Sequence, residues 1–324
     1  MPSKSATGPA IRLVAWAEPG QTPLLRQAVA DGTLALAAVG SPDTADGMRL
    51  SEDLAAERTT TLREAILRDD GDMLWIASPQ PIEKDERRLL REARTAAVTT
   101  EPLPASAADV LSDPDEARTA HFVPLMRQSP GYEAAADVFE TFAERHAANI
   151  FLGCGPGQGS LFARLFDAMD LAEAIGGTIE QVHAALWRPL GGVPDTLRSL
   201  TGTLTINLRF RDNRCASLCI SDCAGAWLRR VVVVGDGGCL RIDDGGFEWI
   251  APDGGTVDAH RQQRMPSPGE LVARQVRRLL ESRAGIDPPP DTSRLLALCE
   301  AARLSARTGG AEIPEKVIEM LKRP

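Results

Sequence analysis

Apolar positions in the first hundred residues come in short runs separated by amphipathic stretches. The runs IRLVAWA (11–17), TLALAAVG (33–40), DMLWIASP (72–79) and AAVTTEPLP have the length and continuity of strands buried on both faces. Between them, TPLLRQAVADG, MRLSEDLAAERTTTLREAILRDDG and IEKDERRLLREARTA space their apolar residues as helices do. Strands alternating with helices imply crossovers of one hand and a mainly parallel sheet, with ligands bound beyond the carboxyl ends of its strands.

The pattern changes near RTAHFVPLMRQSPGY, which divides the chain into a domain over 1–118 and a second over 119–324. Helical spacing is predicted near 132–147 and 159–176. Strand-like segments follow: IEQVHAALWRP, TGTLTINLRFRDN, RCASLCISDC, AWLRRVVVVGDG, GCLRIDDG and GFEWIAPDGG. The pairs Asp212-Asn213, Gly237-Gly238 and Asp244-Gly245 supply hairpin turns. The last part is helical again, with Ser267 and Asp291 as N-caps and the rigid linker DPPPD between the two helices. The expected fold class is α/β: a Rossmann-like doubly wound parallel sheet, then an α+β domain with a large, open, mainly antiparallel sheet.

Composition narrows the function. With 36 basic and 45 acidic residues the chain carries a net charge of −9, which opposes nucleic-acid binding. No apolar run is long enough to span a membrane, and MPSKSATGPA lacks the apolar core of a secretory signal, so a cytoplasmic protein with reduced cysteines is expected. Cys215, Cys219 and Cys223 share one face of a strand; with no CxxC pair or nearby histidine, they read as buried small apolar residues rather than zinc ligands. Only Lys4, Lys84, Lys316 and Lys322 are lysines, so few can be candidates for catalysis.

The stretch ANIFLGCGPGQGSLFARLFDAMDLAEAIGG (148–177) places strand, glycine loop and helix in the order of a phosphate cradle. The G-x-G-x-x-G spacing fails, because the third glycine would fall at Gln158 or at Ser160, and Pro156 interrupts the loop. The stretch reads instead as the lead-in to a helix that carries Asp167 and Asp170 three residues apart on one face.

Three segments resemble the Gfo/Idh/MocA oxidoreductases over nearly the full chain. DMLWIASPQPIEKDERRLLREARTAAVTTEPLPAS is similar to the family's strand ending in A/T-T/S-P, the helix after it and the approach to its E-K-P-L motif. VVVVGDGGCLRIDDG resembles its glycine hairpin, and CEAARLSARTGGAEI its closing helix. The resemblance implies NAD(P)-dependent hydride transfer on a sugar, a polyol or a related compound, and a homo-oligomer assembled through the open sheet of the second domain.

Carried over residue by residue, the family's cofactor contacts fall on Glu18, Gly20, Gln21, Ser41, Asp43, Ser78, Pro79 and Pro102. The first turn, WAEPGQT, keeps only Gly20 of the glycine loop, and Glu18 brings a negative charge toward the pyrophosphate position. Ser41 stands where an acidic residue would hold ribose, with Asp43 two residues on; Asp43 reads either as a ribose ligand or as a turn aspartate. Glu101, before Pro102, replaces the lysine of the E-K-P motif and reverses its charge. In the family's D-x-x-x-H-x-x-D helix, Asp167 takes the place of histidine, Asp170 matches the last aspartate and Ala163 replaces the first. Asp167 and Asp170 read as a proton-sharing pair, as exposed charges or as a cap contact, and Lys84 is the one lysine near a strand's carboxyl end. Three functions follow: a family member without hydride transfer that works by binding or assembly, with no cofactor; an active oxidoreductase using NAD or NADP with a divergent site; or a binder of a sugar-like ligand without redox chemistry, its donors drawn from segments such as LWRPLGGVPDTLRS.

Overall fold

A computed structural model describes residues 10–93, 95–188, 191–281 and 290–322. The DPPPD linker falls mostly outside them, as does part of LWRPLGGVPDTLRS. Contacts divide the chain into two compact units. The first comprises Met1–Leu103, Arg118–Val123 and Ser267–Pro288; the second holds the rest, so the chain crosses between units several times where the sequence suggests one boundary at 118/119.

The first unit runs β1 (Ile11–Trp16), α1 (Thr22–Val29), β2 (Leu34–Gly40), α2 (Thr44–Leu54), β3 (Glu57–Arg58), α3 (Leu62–Leu67), β4 (Met73–Ile76), α4 (Lys84–Glu92) and β5 (Ala96–Thr99). The chain then enters the second unit with α5 (Ala107–Ser112) and returns for β6 (His121–Phe122). All six strands are parallel, in the order β3-β2-β1-β4-β5-β6. Period-two alternation sorts the strand residues to two cores, as a doubly wound sheet requires. Leu13, Ala15, Val39, Met73, Trp75 and Val98 face Leu24, Leu25 and Ala28 of α1. Val14, Trp16, Ala38, Leu74, Ile76 and Ala97 face Leu62, Ala65 and Ile66 of α3 and Leu90 of α4. The two-residue β3, between α2 and α3, is absent from the sequence reading.

The second unit continues with α6 (Pro130–Ala134), α7 (Ala136–Thr141), β7 (Arg145–Gly153), α8 (Leu161–Gly176), β8 (Ile179–Trp187), β9 (Thr203–Phe210), β10 (Cys215–Ser221), β11 (Leu228–Gly235), β12 (Gly238–Asp243), β13 (Gly246–Ile250) and β14 (Thr256–Arg261). The helix expected over 132–147 stops at Thr141: Ala143 takes a positive φ of 67°, and from Arg145 the chain is extended. Eight strands form one sheet, β14-β13-β12-β11-β7-β10-β9-β8, antiparallel except for β7 against β10. On β9, Leu204, Ile206, Leu208 and Phe210 are buried and alternate with exposed Thr205, Asn207 and Arg209, so one face is covered and the other open. The turns at Asn213 (φ 64°), Gly238 (φ 98°) and Asp244-Gly245 join hairpins as expected. The central helix α8 is buried on nearly every side against β7 and β10.

After β14 the chain rejoins the first unit as α9 (Pro268–Glu281), whose Val272, Ala273 and Val276 complete the core beside α1. Ser267 and Glu270 exchange hydrogen bonds at its start, a capping box that supports the predicted cap. Helices α10 (Thr292–Thr308) and α11 (Pro314–Leu321) close the second unit, with Asp291 capping α10 through the Arg294 N–H at 3.1 Å.

The cysteine expectation needs correction. Cys215 is exposed and Cys219 half-buried, because β10 presents their parity to the open face while Ala216, Leu218 and Ile220 fill the core; Cys223, past the end of β10, is exposed. All six cysteines are free.

Candidate functional site

At the carboxyl end of β1, residues Pro19–Gln21 form a 3-10 turn that runs into α1. The Gln21 side chain, 6% exposed, stitches this turn shut. Its Oε1 accepts the Glu18 N–H at 2.8 Å, and its Nε2 donates to the Ala77 carbonyl just past β4. The Gln21 N–H donates to the Glu18 carbonyl at 2.9 Å, and the Ser78 hydroxyl donates to the Glu18 carboxylate at 3.2 Å. A dinucleotide loop instead leaves main-chain N–H groups free to meet the pyrophosphate. Here the N–H groups of Glu18 and Gln21 already have partners within the turn, and a carboxylate stands beside them. Gly20 does not use a positive φ, so glycine's freedom is not exploited there. These residues do not fit a pyrophosphate.

Of the other predicted cofactor positions, Asp43 is committed locally. Asp43 caps α2: its Oδ1 accepts the N–H groups of Ala45 at 2.8 Å and Asp46 at 3.1 Å, which makes it a helix cap. Ser41 is buried, and its hydroxyl has no hydrogen-bond partner among the described residues. Pro79 is exposed and Pro102 buried. Glu101 is 4% exposed, its N–H donating to the Thr99 hydroxyl, which in turn donates to the Glu101 carbonyl. Lys84 is the exposed first residue of α4.

In the second unit the glycine stretch behaves as a lead-in to α8. Gly157 and Gly159 take positive φ values of 73° and 141°, the Gly155 N–H donates to Gln158, and Ser160 caps α8 through the Ala163 N–H at 3.0 Å. Asp167 and Asp170 do share a face of α8, and both are buried, so the reading as exposed charges is corrected. Arginines pair with both carboxylates.

Asp167, fully buried, accepts the Met126 N–H at 2.7 Å and Arg229 Nη1 at 2.9 Å, with Arg164 Nη1 at 3.5 Å. Arg229 also grips Asp244 at 2.6 Å and donates to the Pro124 carbonyl at 2.8 Å. The Trp227 ring lies under both guanidinium groups, 4.4 Å from Arg164 and 4.9 Å from Arg229, while its indole N–H donates to Asp244. Burial works against the charge of Arg229, but Asp244 and Asp167 hold it protonated more firmly than an ordinary arginine. Asp170 pairs with Arg127 Nε at 2.6 Å; burial pushes its pKa up to about 6 even though the Arg127 charge pulls the other way.

The sequence reading omits Arg164, Arg229, Asp244, Arg127 and Trp227. Arg229 leaves a trace, for it shares parity with the buried Val231 and Val233 of β11. Among the described residues no group of three or more His, Cys, Asp or Glu side chains is placed to hold a metal, and no helix is long and apolar enough to cross a membrane.

No family model and no curated protein matches the sequence. Solved structures do match it in fold. GenD2 from gentamicin A biosynthesis, in complex with NAD, aligns at a TM-score of 0.70 and 19% identity, over 97% of this chain and 99% of that one. A myo-inositol dehydrogenase from Corynebacterium glutamicum aligns at 0.66 and 18%, over 94% and 98%. Levoglucosan dehydrogenase, in complex with NADH and L-sorbose, aligns at 0.71 and 14%, over 94% and 99%. With its parallel six-stranded sheet and its open eight-stranded sheet, the chain has the fold of the Gfo/Idh/MocA-type NAD-binding dehydrogenases.

Proposed function

We propose that the chain is a divergent Gfo/Idh/MocA-like protein that acts by binding or assembly, without NAD(P)-dependent hydride transfer. The observation that carries this reading is the β1–α1 turn, where the N–H groups of Glu18 and Gln21 are bonded within the turn and the Glu18 carboxylate stands beside them. The state of Asp167 supports it. A general acid or base must reach its substrate, whereas this carboxylate is fully buried and faces two arginines and an N–H. Assembly would use the open face of the eight-stranded sheet, where β9 exposes Thr205, Asn207 and Arg209.

A second reading, an NAD-dependent oxidoreductase acting on a sugar or polyol, is favoured by neighbours solved with NAD and with NADH and L-sorbose. A thermal-shift titration separates the two. A ligand at a thousand times its Kd adds about 4 kcal/mol to the folded state, so micromolar binding of NADH at millimolar concentration would raise the Tm by several degrees. The first reading expects no shift with NAD(H) or NADP(H); a saturable rise overturns it.

A further inference from the structure

The outermost strand of the eight-stranded sheet is unusual within its unit. Among the described residues β14 pairs only with β13, and all six of its residues, Thr256 to Arg261, are exposed. On β9 to β12 alternate residues enter a core; β14 buries neither parity. It also lacks the proline or lysine that commonly blunts a free edge.

The hydrogen-bond phase of β14 is fixed. The Gln262 N–H donates to the Gly245 carbonyl at 2.9 Å, and bonded pairs alternate along an antiparallel ladder. His260 and Asp258 therefore direct their main-chain groups to β13, opposite Phe247 and Trp249, while Arg261 and Ala259 direct theirs to the free edge. The outward Ala259 N–H is met only by its neighbour, the Asp258 carboxylate at 2.8 Å.

We infer that this edge is a self-association surface, on which β14 of a second copy of the chain adds antiparallel with Ala259 facing the partner subunit's Ala259. Side-chain pairing selects that register among those the outward main-chain groups allow. The two outward-facing Ala259 residues form a bonded pair, each N–H meeting the other's carbonyl, and Ala259 is small enough for the two-fold axis. The same register sets Asp258 opposite the partner's His260, and His260 opposite the partner's Asp258, as unbonded pairs, the geometry in which cross-strand side chains lie nearest. Centring the pair on Asp258 instead opposes two carboxylates, and centring it on His260 opposes two imidazoles. This edge contact is separate from the face contact proposed above and stands without it.

Cysteine cross-linking of the full chain tests the register, with exposed Cys215 and Cys223 changed to serine. Bonded antiparallel pairs hold their Cα atoms about 5.5 Å apart, within disulfide reach. Ala259→Cys should form an intermolecular disulfide under mild oxidation, and Val257→Cys, displaced from the axis, should not. Ala259→Pro should abolish the dimer in sedimentation velocity; the substitution is tolerated in the folded chain because that N–H does not serve the ladder with β13. Asp258→Lys should weaken the dimer, and Asp258→Lys with His260→Glu should restore it. Asn207→Arg, on the open face, should leave the Ala259→Cys cross-link intact even if it disrupts a face contact. A monomer at every concentration, equal cross-linking at 257 and 259, or a dimer indifferent to Ala259→Pro overturns the inference.

Discussion

Replacing Asp167 by alanine removes the carboxylate at the centre of the buried arginine network. Three groups lose a partner: Arg229 at 2.9 Å, the Met126 N–H at 2.7 Å and Arg164 at 3.5 Å. Breaking a buried ion pair costs about 3–5 kcal/mol, and Arg229 keeps Asp244 at 2.6 Å, which places this case at the lower end. The stranded Met126 N–H adds about 1 kcal/mol or more. The two losses share one site and do not simply add, so a destabilisation of about 4 kcal/mol is expected for Asp167→Ala. Asp167→Asn, which retains an acceptor for Met126, should lose roughly half as much. Urea unfolding followed by tryptophan fluorescence measures both through the midpoint at constant slope. Asp167→His, which restores the family's residue, should be no better than alanine, since a neutral or cationic ring cannot balance two guanidinium groups. A midpoint for Asp167→Ala within about 0.5 kcal/mol of the parent, the range of an ordinary surface change, refutes the structural role.

Two further predictions concern the second unit. Asp170 has a folded-state pKa raised to about 6 from an ordinary value of 3.8, so the folded state binds more protons between those values. Its contribution to stability is full below about pH 4 and is lost as the pH rises through 6. Unfolding midpoints across pH 4–7 should therefore fall more steeply with pH in the parent than in Asp170→Asn, and coincident slopes count against the assignment. Gly131, in α6, lies so close to the β12–β13 hairpin that an added Cβ would meet the Asp243 carbonyl and the main chain of Gly246. Gly131→Ala should cost about 3 kcal/mol, at the upper end for overpacking, and a midpoint unchanged in urea would contradict that packing.

The fold was largely legible in the sequence because buried parallel strands and alternating antiparallel ones leave different apolar patterns. IRLVAWA and DMLWIASP read as continuous runs and lie buried on both faces; TLTINLRF alternates and has one open face. What escaped was structure that buries little. β14 exposes every residue and offers no periodicity, and β3 is two residues long. The overlong helix at 132–147 failed because a turn at Ala143, rather than a change in polarity, ends it. For the site, sequence placed Asp167 and Asp170 on one helical face but could not supply their partners. Arg127, Arg229 and Asp244 come from segments 43, 62 and 77 residues away from those carboxylates, joined only by tertiary packing. The cysteine assignment failed for a related reason: parity told which residues share a face of β10, not which face is covered.

The two acidic residues of α8 also differ in what proton chemistry they could perform. Asp167 is held by two guanidinium groups that share Trp227 as a platform, with Asp244 completing a set of two cations and two anions. Asp167 is fully buried, so its carboxylate does not reach a substrate in this arrangement. Asp170 has one arginine partner, retains 8% side-chain exposure and has a pKa raised to about 6. If the chain carries out acid–base chemistry, the carrier is Asp170, and Asp167 is scaffold. Kinetics of any turnover found would then show an acidic limb near pH 6 that vanishes in Asp170→Asn. Asp167→Asn, assayed where it remains folded, would keep the limb. A limb that follows Asp167 instead would overturn both the division of roles and the proposal that hydride-transfer chemistry has been lost.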